Sequence, residues 1–510
     1  TAANADEWVP VKPGSEGILA MSMMYVIMKD GMADSTAVNV LTGGVGHQAL
    51  EMFSNTNQDV VNATGIDSSR IEHLAHDFAN SQHPLAIGGG SASAQVGGSF
   101  NLKAIYSLNL LVDNINKEGG VIFNPPPPLQ TLRSETVKVA GTPSPFKDWS
   151  DLPAHKVVVL RGVNPVHGMP SNSGFIGALQ NSEFVVSYSS FMDETAAMAD
   201  LVMPEHNYLE DWGDDVPDPG PGYQVLGIQQ PVVRPFHSGT VSFADELLTY
   251  SRTLGLGLDE KFDLSSGSGY QDLLKKGFEE LWNEGRGSVR SSDFDAFWKG
   301  ALQRGGWWDT TASYENDEKS IESSPPLDIT WPDLRFDGSG DLHLIPFMSN
   351  SLGDGSLANL PWLQATPDPM TSVVWHTWVE INTKEADARG ISQGDLIEVE
   401  SSNGKVEVPA YVHPGVPPWT VSMPIGQGHT SFDRYAEGVG GNTFSLLSPT
   451  ILDNGTNGLA WAATKVKITN TGKHIDIPKF EGNVPAFEVD EQRIIKLAPP
   501  RSGHEHGNNH

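Results

Sequence analysis

Two short stretches of this chain gather the residue types that chemistry needs. The first, RGVNPVHGMP at 161 to 170, places Gly162, Asn164 and His167 directly after the apolar run KVVVL. A buried strand that stops at a glycine hands the next side chains and amides to the carboxyl end of a parallel sheet, where nucleotides bind. The second, MPIGQGHTSFDRYAEG at 423 to 438, sets Gln427, His429, Asp433 and Arg434 among glycines. That mix of donors and acceptors suits a polar heterocycle with phosphates. Each stretch also has a plain structural reading, since Asn-Pro starts turns and a polar loop can satisfy its own groups. Taken alone, His429 reads as a hydrogen-bonding residue, because no second histidine or carboxylate stands at a zinc-like spacing from it.

The 510 residues include no cysteine, so the chain supplies no thiolate to an iron–sulfur cluster or to a metal. The patterns GxxxxGK[ST], HExxH and GxSxG are absent too, which removes the best anchors for phosphate-loop, zinc-protease and serine-hydrolase chemistry. Gly88 to Gly90 lack the GxGxxG spacing, and a tight turn needing positive φ accounts for them. His504, His506 and His510 sit in a polar tail that reads as solvated.

The elements that must position these residues follow a mixed pattern. EGILAMSMMYVIMK reads as a buried helix with Ser15 as N-cap and Gly31 near its end. HPLAIGGG followed by a helix from about 101 to 116 reads as a strand–turn–helix unit. NPPPPLQ at 124 to 130 marks a boundary, after which helix and strand alternate in the rhythm of a parallel sheet. Residues 255 to 340, with two aromatic-rich stretches, read as surface helices on loop-rich insertions. From about 341 short strands take over, with SNGK as a hairpin turn, giving a β-barrel-like domain.

Charge limits the partners. Lys plus Arg number 32 against 63 Asp plus Glu, so 32 − 63 gives −31, which repels a phosphate backbone and excludes nucleic acid. The longest apolar run, GILAMSMMYVIM at 17 to 28, is too short for a membrane span of about 20 residues.

In order and spacing, DEWVPVKPGSEGILAMSM, LAIGGGSASAQVGGSFNLKAIYSLNLLVDNINKEGG, VVVLRGVNPVHGMP, VVSYSSFMDETAAMADLVMPEHNYLEDWGD and TWVEINTKEADARGISQGDLIEVESSNGKVEVPAYVHPGV together resemble the molybdopterin oxidoreductase superfamily. The resemblance covers most of the chain and implies an α/β fold, with Rossmann-like parallel-sheet domains followed by a double-psi-like β-barrel. The divisions it implies are a partial α/β domain at 1–125, a Rossmann-like domain at 126–340, a dinucleotide-binding-like barrel at 341–475 and a polar tail at 476–510. The family's cluster-binding and metal-ligating residues would precede Thr1.

Within that superfamily the chain is similar to the B-subunit type of alternative complex III, whose molybdopterin-like part carries no molybdenum cofactor. RYAEGVGGN has Val439 where active relatives carry arginine, and Thr443 where they carry proline, which weakens phosphate binding. The resemblance implies a noncatalytic scaffold of a quinol-oxidising complex on the periplasmic side of the membrane. Its partners would be a ferredoxin-like iron–sulfur subunit, a multihaem cytochrome c subunit and quinol-binding integral membrane subunits, with clusters and haem c in those partners. The alternative is the larger part of an active reductase holding a molybdenum bis-pterin guanine dinucleotide, completed by an amino-terminal portion. Gly162, Asn164, Gln427 and His429 would then contact the cofactor.

Overall fold

The structure, a computed structural model, describes residues 5–129, 155–217, 220–311, 326–450 and 458–480. Helix α1 (Glu16–Lys29) is apolar on nearly every side, with Ile18, Met21, Met24 and Ile27 fully buried, so it must sit centrally. Around it pack α2 (Ser35–Thr42), α3 (Gln58–Thr64), α4 (Ser68–Asn80) and α5 (Gly98–Leu111). Ser15 occupies the N-cap position, but its hydroxyl donates back to the Lys12 carbonyl; the Gly17 amide is taken instead by Asn101 Oδ1 of α5 at 2.9 Å. Gly31 (φ 72°) turns the chain out of the helix, as its place in the sequence implies.

The strand expected at HPLAIGGG is not formed. Ala86 has no neighbouring strand; the Asn109 side chain accepts from its N–H and donates to its carbonyl, both at 2.8 Å, doing what a paired strand would do. The first 125 residues are therefore helical among the described residues.

The second body supplies the expected parallel sheet in order β1 (Val158–Arg161), β2 (Val185–Tyr188), β3 (Leu201–Met203). Between β1 and β2 lie α6 (Pro165–Gly168) and α7 (Phe175–Gln180), whose Phe175 and Leu179 cover Val185. A separate antiparallel sheet joins β4 (Gly213–Asp215), β5 (Gln224–Gln229) and β6 (Gly306–Asp309). Helices α8 (Phe243–Leu254), α9 (Leu258–Lys261), α10 (Tyr270–Glu284) and α11 (Phe294–Arg304) fill the interval. Here the surface reading of 255 to 340 is corrected. Phe278, Phe297, Trp298 and Trp307 form a core of their own with Leu226 and Leu281, because helices this rich in aromatics need a sheet face to bury them.

The barrel is closed, in order β10-β8-β11-β7-β12-β9, from β7 (Leu342–Met348), β8 (Val379–Ile381), β9 (Asp395–Glu400), β10 (Lys405–Val412), β11 (Thr420–Ile425) and β12 (Lys465–His474). The expected β9–β10 hairpin forms, with Lys405 opposite Glu400, but neither Asn403 nor Gly404 takes positive φ: the Ser401 N–H donates to the Gly404 carbonyl at 2.9 Å, so Ser402 and Asn403 make the turn. Among the described residues no helix is long and apolar enough to cross a membrane.

Trp307 is fully buried, with its indole N–H on the Arg286 carbonyl at 3.2 Å. Trp307→Ala is expected to destabilise the second body by about 3–5 kcal/mol, read as a lowered midpoint in denaturant unfolding followed by tryptophan fluorescence.

Candidate functional site

The parallel sheet and the barrel meet at a buried polar seam. Gly162 (φ 60°) turns the chain at the end of β1, and its own surroundings are open. Asn164 then precedes α6, where Pro165 fits the first turn, and His167 closes the last turn with 4% of its surface exposed. After β2, Glu194 follows Asp193, which accepts the Ala196 N–H and pins the loop. From the barrel side the loop after β11 brings Gln427 and His429, both buried.

Asn164, Glu194, Gln427 and His429 spend their polar groups on the protein. Asn164 donates to Glu194 Oε2 at 2.7 Å and accepts from the Thr195 hydroxyl at 2.7 Å. Gln427 and Gln364 face one another as a reciprocal amide pair at 2.6 and 3.1 Å. Glu194 accepts from Thr430 N at 2.6 Å, from Ser431 N at 3.2 Å, and from His429 Nδ1 at 3.1 Å to the nearer oxygen. Burial works against the Glu194 carboxylate, but the bonds from His429, Asn164 and Thr430 outweigh it and hold its pKa well below the usual range.

His167 and His429 stack with ring centres 3.6 Å apart and planes 12° from parallel. Both Nε2 atoms converge on Gly355 (φ 109°), where a Cβ would stand 2.9 Å from His429 Nε2 and 3.2 Å from His167 Nε2. Burial, then the neighbouring His429, push the His167 pKa down to about 4, against the pull of Glu194 and Asp354. His167, Glu194 and His429 each bring a ligand atom within 4.8 Å of the others. A shared ion would have to lie in both ring planes, which parallel stacking forbids, and the Glu194 oxygens are already filled with donors. The arrangement therefore favours hydrogen bonding over coordination.

Of the residues singled out from sequence, Asn164 and His429 come together through Glu194, Gln427 lies beside them on the Gln364 amide, and Gly162 stays at the outer turn. Arg434 stacks on Tyr435 at the surface, its guanidinium 4.6 Å from the ring centre. Sequence reasoning missed Glu194 as the hub and Gln364 as the amide partner. The available signal was the acidic pair in FMDETA, one strand over from Asn164 in a parallel sheet.

With this geometry in hand, two family descriptions match the chain: Molybdopterin oxidoreductase at residues 1–234 and Molydopterin dinucleotide binding domain at 364–455. The chain thus carries matches to both the molybdopterin oxidoreductase and the dinucleotide-binding families. It is 29% identical to the menaquinone reductase molybdopterin-binding-like subunit of Nitratidesulfovibrio vulgaris, over 92% of this chain and 64% of that one. It is 23% identical to the thiosulfate reductase molybdopterin-containing subunit of Salmonella typhimurium, over 84% and 63%. The chain thus spans slightly under two thirds of these relatives. In fold it is similar to acetylene hydratase from Pelobacter acetylenicus, with TM-score 0.66 and 17% identity, covering 92% of this chain and 72% of that one. The second family match contains Gln427 and His429, and the first contains Asn164 and Glu194, so the seam joins the two family domains.

Gly353 and Gly355 allow a controlled test. Both have positive φ, but only Gly355 has neighbours where a Cβ would stand. Gly353→Ala is expected to cost about 1 kcal/mol from backbone strain alone, and Gly355→Ala about 1–3 kcal/mol more from overpacking against the rings. Thermal unfolding of the two variants side by side reads the difference.

Proposed function

We propose that this chain is a noncatalytic, cofactor-free scaffold subunit of a quinol-linked electron-transport complex of the alternative complex III type. The observation that carries the reading is the closed seam. The side chains that the family fold offers to a pterin dinucleotide hold one another, and the cavity beside Gln427 measures about 20 Å³. That is room for one water, where a drug-sized ligand takes roughly 300–1,000 Å³. As arranged, these residues do not fit the cofactor. Val439 and Thr443 add to this: the Val439 carbonyl accepts from Gly428 N at 2.8 Å and the Thr443 hydroxyl donates to Pro424 O at 2.7 Å, both closing the loop on itself.

Similarity to a subunit of a menaquinone reductase supports a quinone-linked assembly. In this reading electrons pass through iron–sulfur clusters and haem c in neighbouring subunits, and quinol is oxidised at integral membrane partners. The chain lies peripherally on the periplasmic side and holds those carriers in register. Its surplus of 31 negative charges suits docking of basic carrier proteins.

The native assembly, purified and assayed for molybdenum, tungsten and acid-released pterin, is expected to contain almost none of the three per copy of this chain. One metal with two pterins per chain would overturn the scaffold reading in favour of an active reductase completed by an amino-terminal portion.

A further inference from the structure

The hydrogen-bond accounting at the seam does not close with neutral rings. His429 meets an acceptor at each nitrogen: the Glu194 carboxylate at Nδ1 and the Gly355 carbonyl at Nε2, 3.1 Å away. A neutral imidazole has one N–H and can serve only one of them. Moving the proton to Glu194 would set its O–H against the Asn164, Thr430 and Ser431 donors. His167, by contrast, faces the Asn442 amide at Nδ1, 3.3 Å away, and its buried Nε2 has no partner among the described residues. Only a neutral ring fits there, directly beneath its neighbour.

We propose that this seam is a proton-loaded clasp: His429 holds one excess proton as an imidazolium against Glu194, His167 stays neutral under it, and uptake of a second proton opens the seam. Two imidazolium rings stacked at 3.6 Å would repel at close range with little water between them. The titratable groups acting on the stack are Glu194 from the loop after β2 and Asp354 from the turn that carries Gly355, with Asp193 behind Glu194. His167 has a depressed pKa when folded, so its contribution to closure is full above about 6.5 and falls as pH drops toward 4. Glu194, also depressed, loses its contribution at lower pH still. Asp193, raised by burial, works against the trend.

Amide hydrogen exchange, read by mass spectrometry on the purified full chain in its native assembly, tests the clasp. The reporters are the Thr430 and Ser431 N–H groups that donate to Glu194, with the β11 amides as an internal reference for intrinsic rate. Between pH 7 and pH 5 His167 alone would give about a 20-fold loss of their protection relative to β11; the His429 imidazolium, held in the closed seam, offsets about fourfold of it and leaves roughly a 5-fold loss. In His167→Gln the same amides should lose no protection over that range and should gain a few-fold from His429. Equal wild-type protection at both pH values, or unchanged acid opening in His167→Gln, would overturn the clasp; if that variant does not fold, the wild-type series decides alone. Loss of protection on adding a chelator at pH 7 would also overturn it, marking the three side chains as metal ligands. The inference rests on the closed seam and not on cofactor content, so pterin found in the assembly would sink the scaffold reading and leave the clasp to the exchange data.

Discussion

One buried carboxylate organises the contact between the two halves of this molecule. Glu194 leaves the end of a parallel strand and is met by an amide from its own domain and by a ring and two backbone N–H groups from the barrel. A buried charge is tolerated only when paired and hydrogen-bonded. Here the pairing is supplied across a domain boundary, so the cost of burying Glu194 is offset only when the barrel is seated. Neighbouring contacts follow the same line: Asn442 reaches the His167 carbonyl at 3.0 Å, the Ser431 hydroxyl reaches Met192 O, and Phe191 meets Phe432 edge-on.

The same constraint accounts for the closed contact between the parallel sheet and the barrel. The parallel sheet still presents its carboxyl ends, and the barrel still presents a glycine-rich polar loop. What differs is the use of the groups between them. Asn164, Gln427 and His429 are of the types that would recognise a heterocycle, yet each is answered by Glu194, Gln364 or Gly355. Polar recognition surfaces and polar structural joints use the same donors and acceptors, and only the partner atom tells them apart.

That distinction marks how far the sequence could be read. Strand periodicity and turn chemistry located β1, β2, β3 and the β9–β10 hairpin, because alternation and glycine act locally. The missing strand at Ala86 failed for a reason no local pattern contains: a side-chain amide from α5, 23 residues on, took the place of a neighbour. Trp298 and Trp307 looked like surface aromatics because the sheet that buries them is assembled from strands far apart in sequence. At the seam, residue types singled out Asn164, Gln427 and His429, and the structure brings Asn164 and His429 onto Glu194 and Gln427 onto Gln364. Glu194, the partner that Asn164 and His429 share, was marked only by the acidic pair in FMDETA, which carries no spacing pattern toward the barrel loop.

Glu194 and His429 are 235 residues apart, and nearly all the intervening chain must be in place before they touch. Closing a loop of that length is entropically expensive and comes late in assembly. The joint thus belongs with the contacts of longest sequence separation, beside the Asn442–His167 bond across 275 residues. Until the barrel docks, the second body carries an unanswered acidic end, which keeps it hydrated and discourages premature association. Completion of the fold is signalled by the disappearance of that charge from the surface.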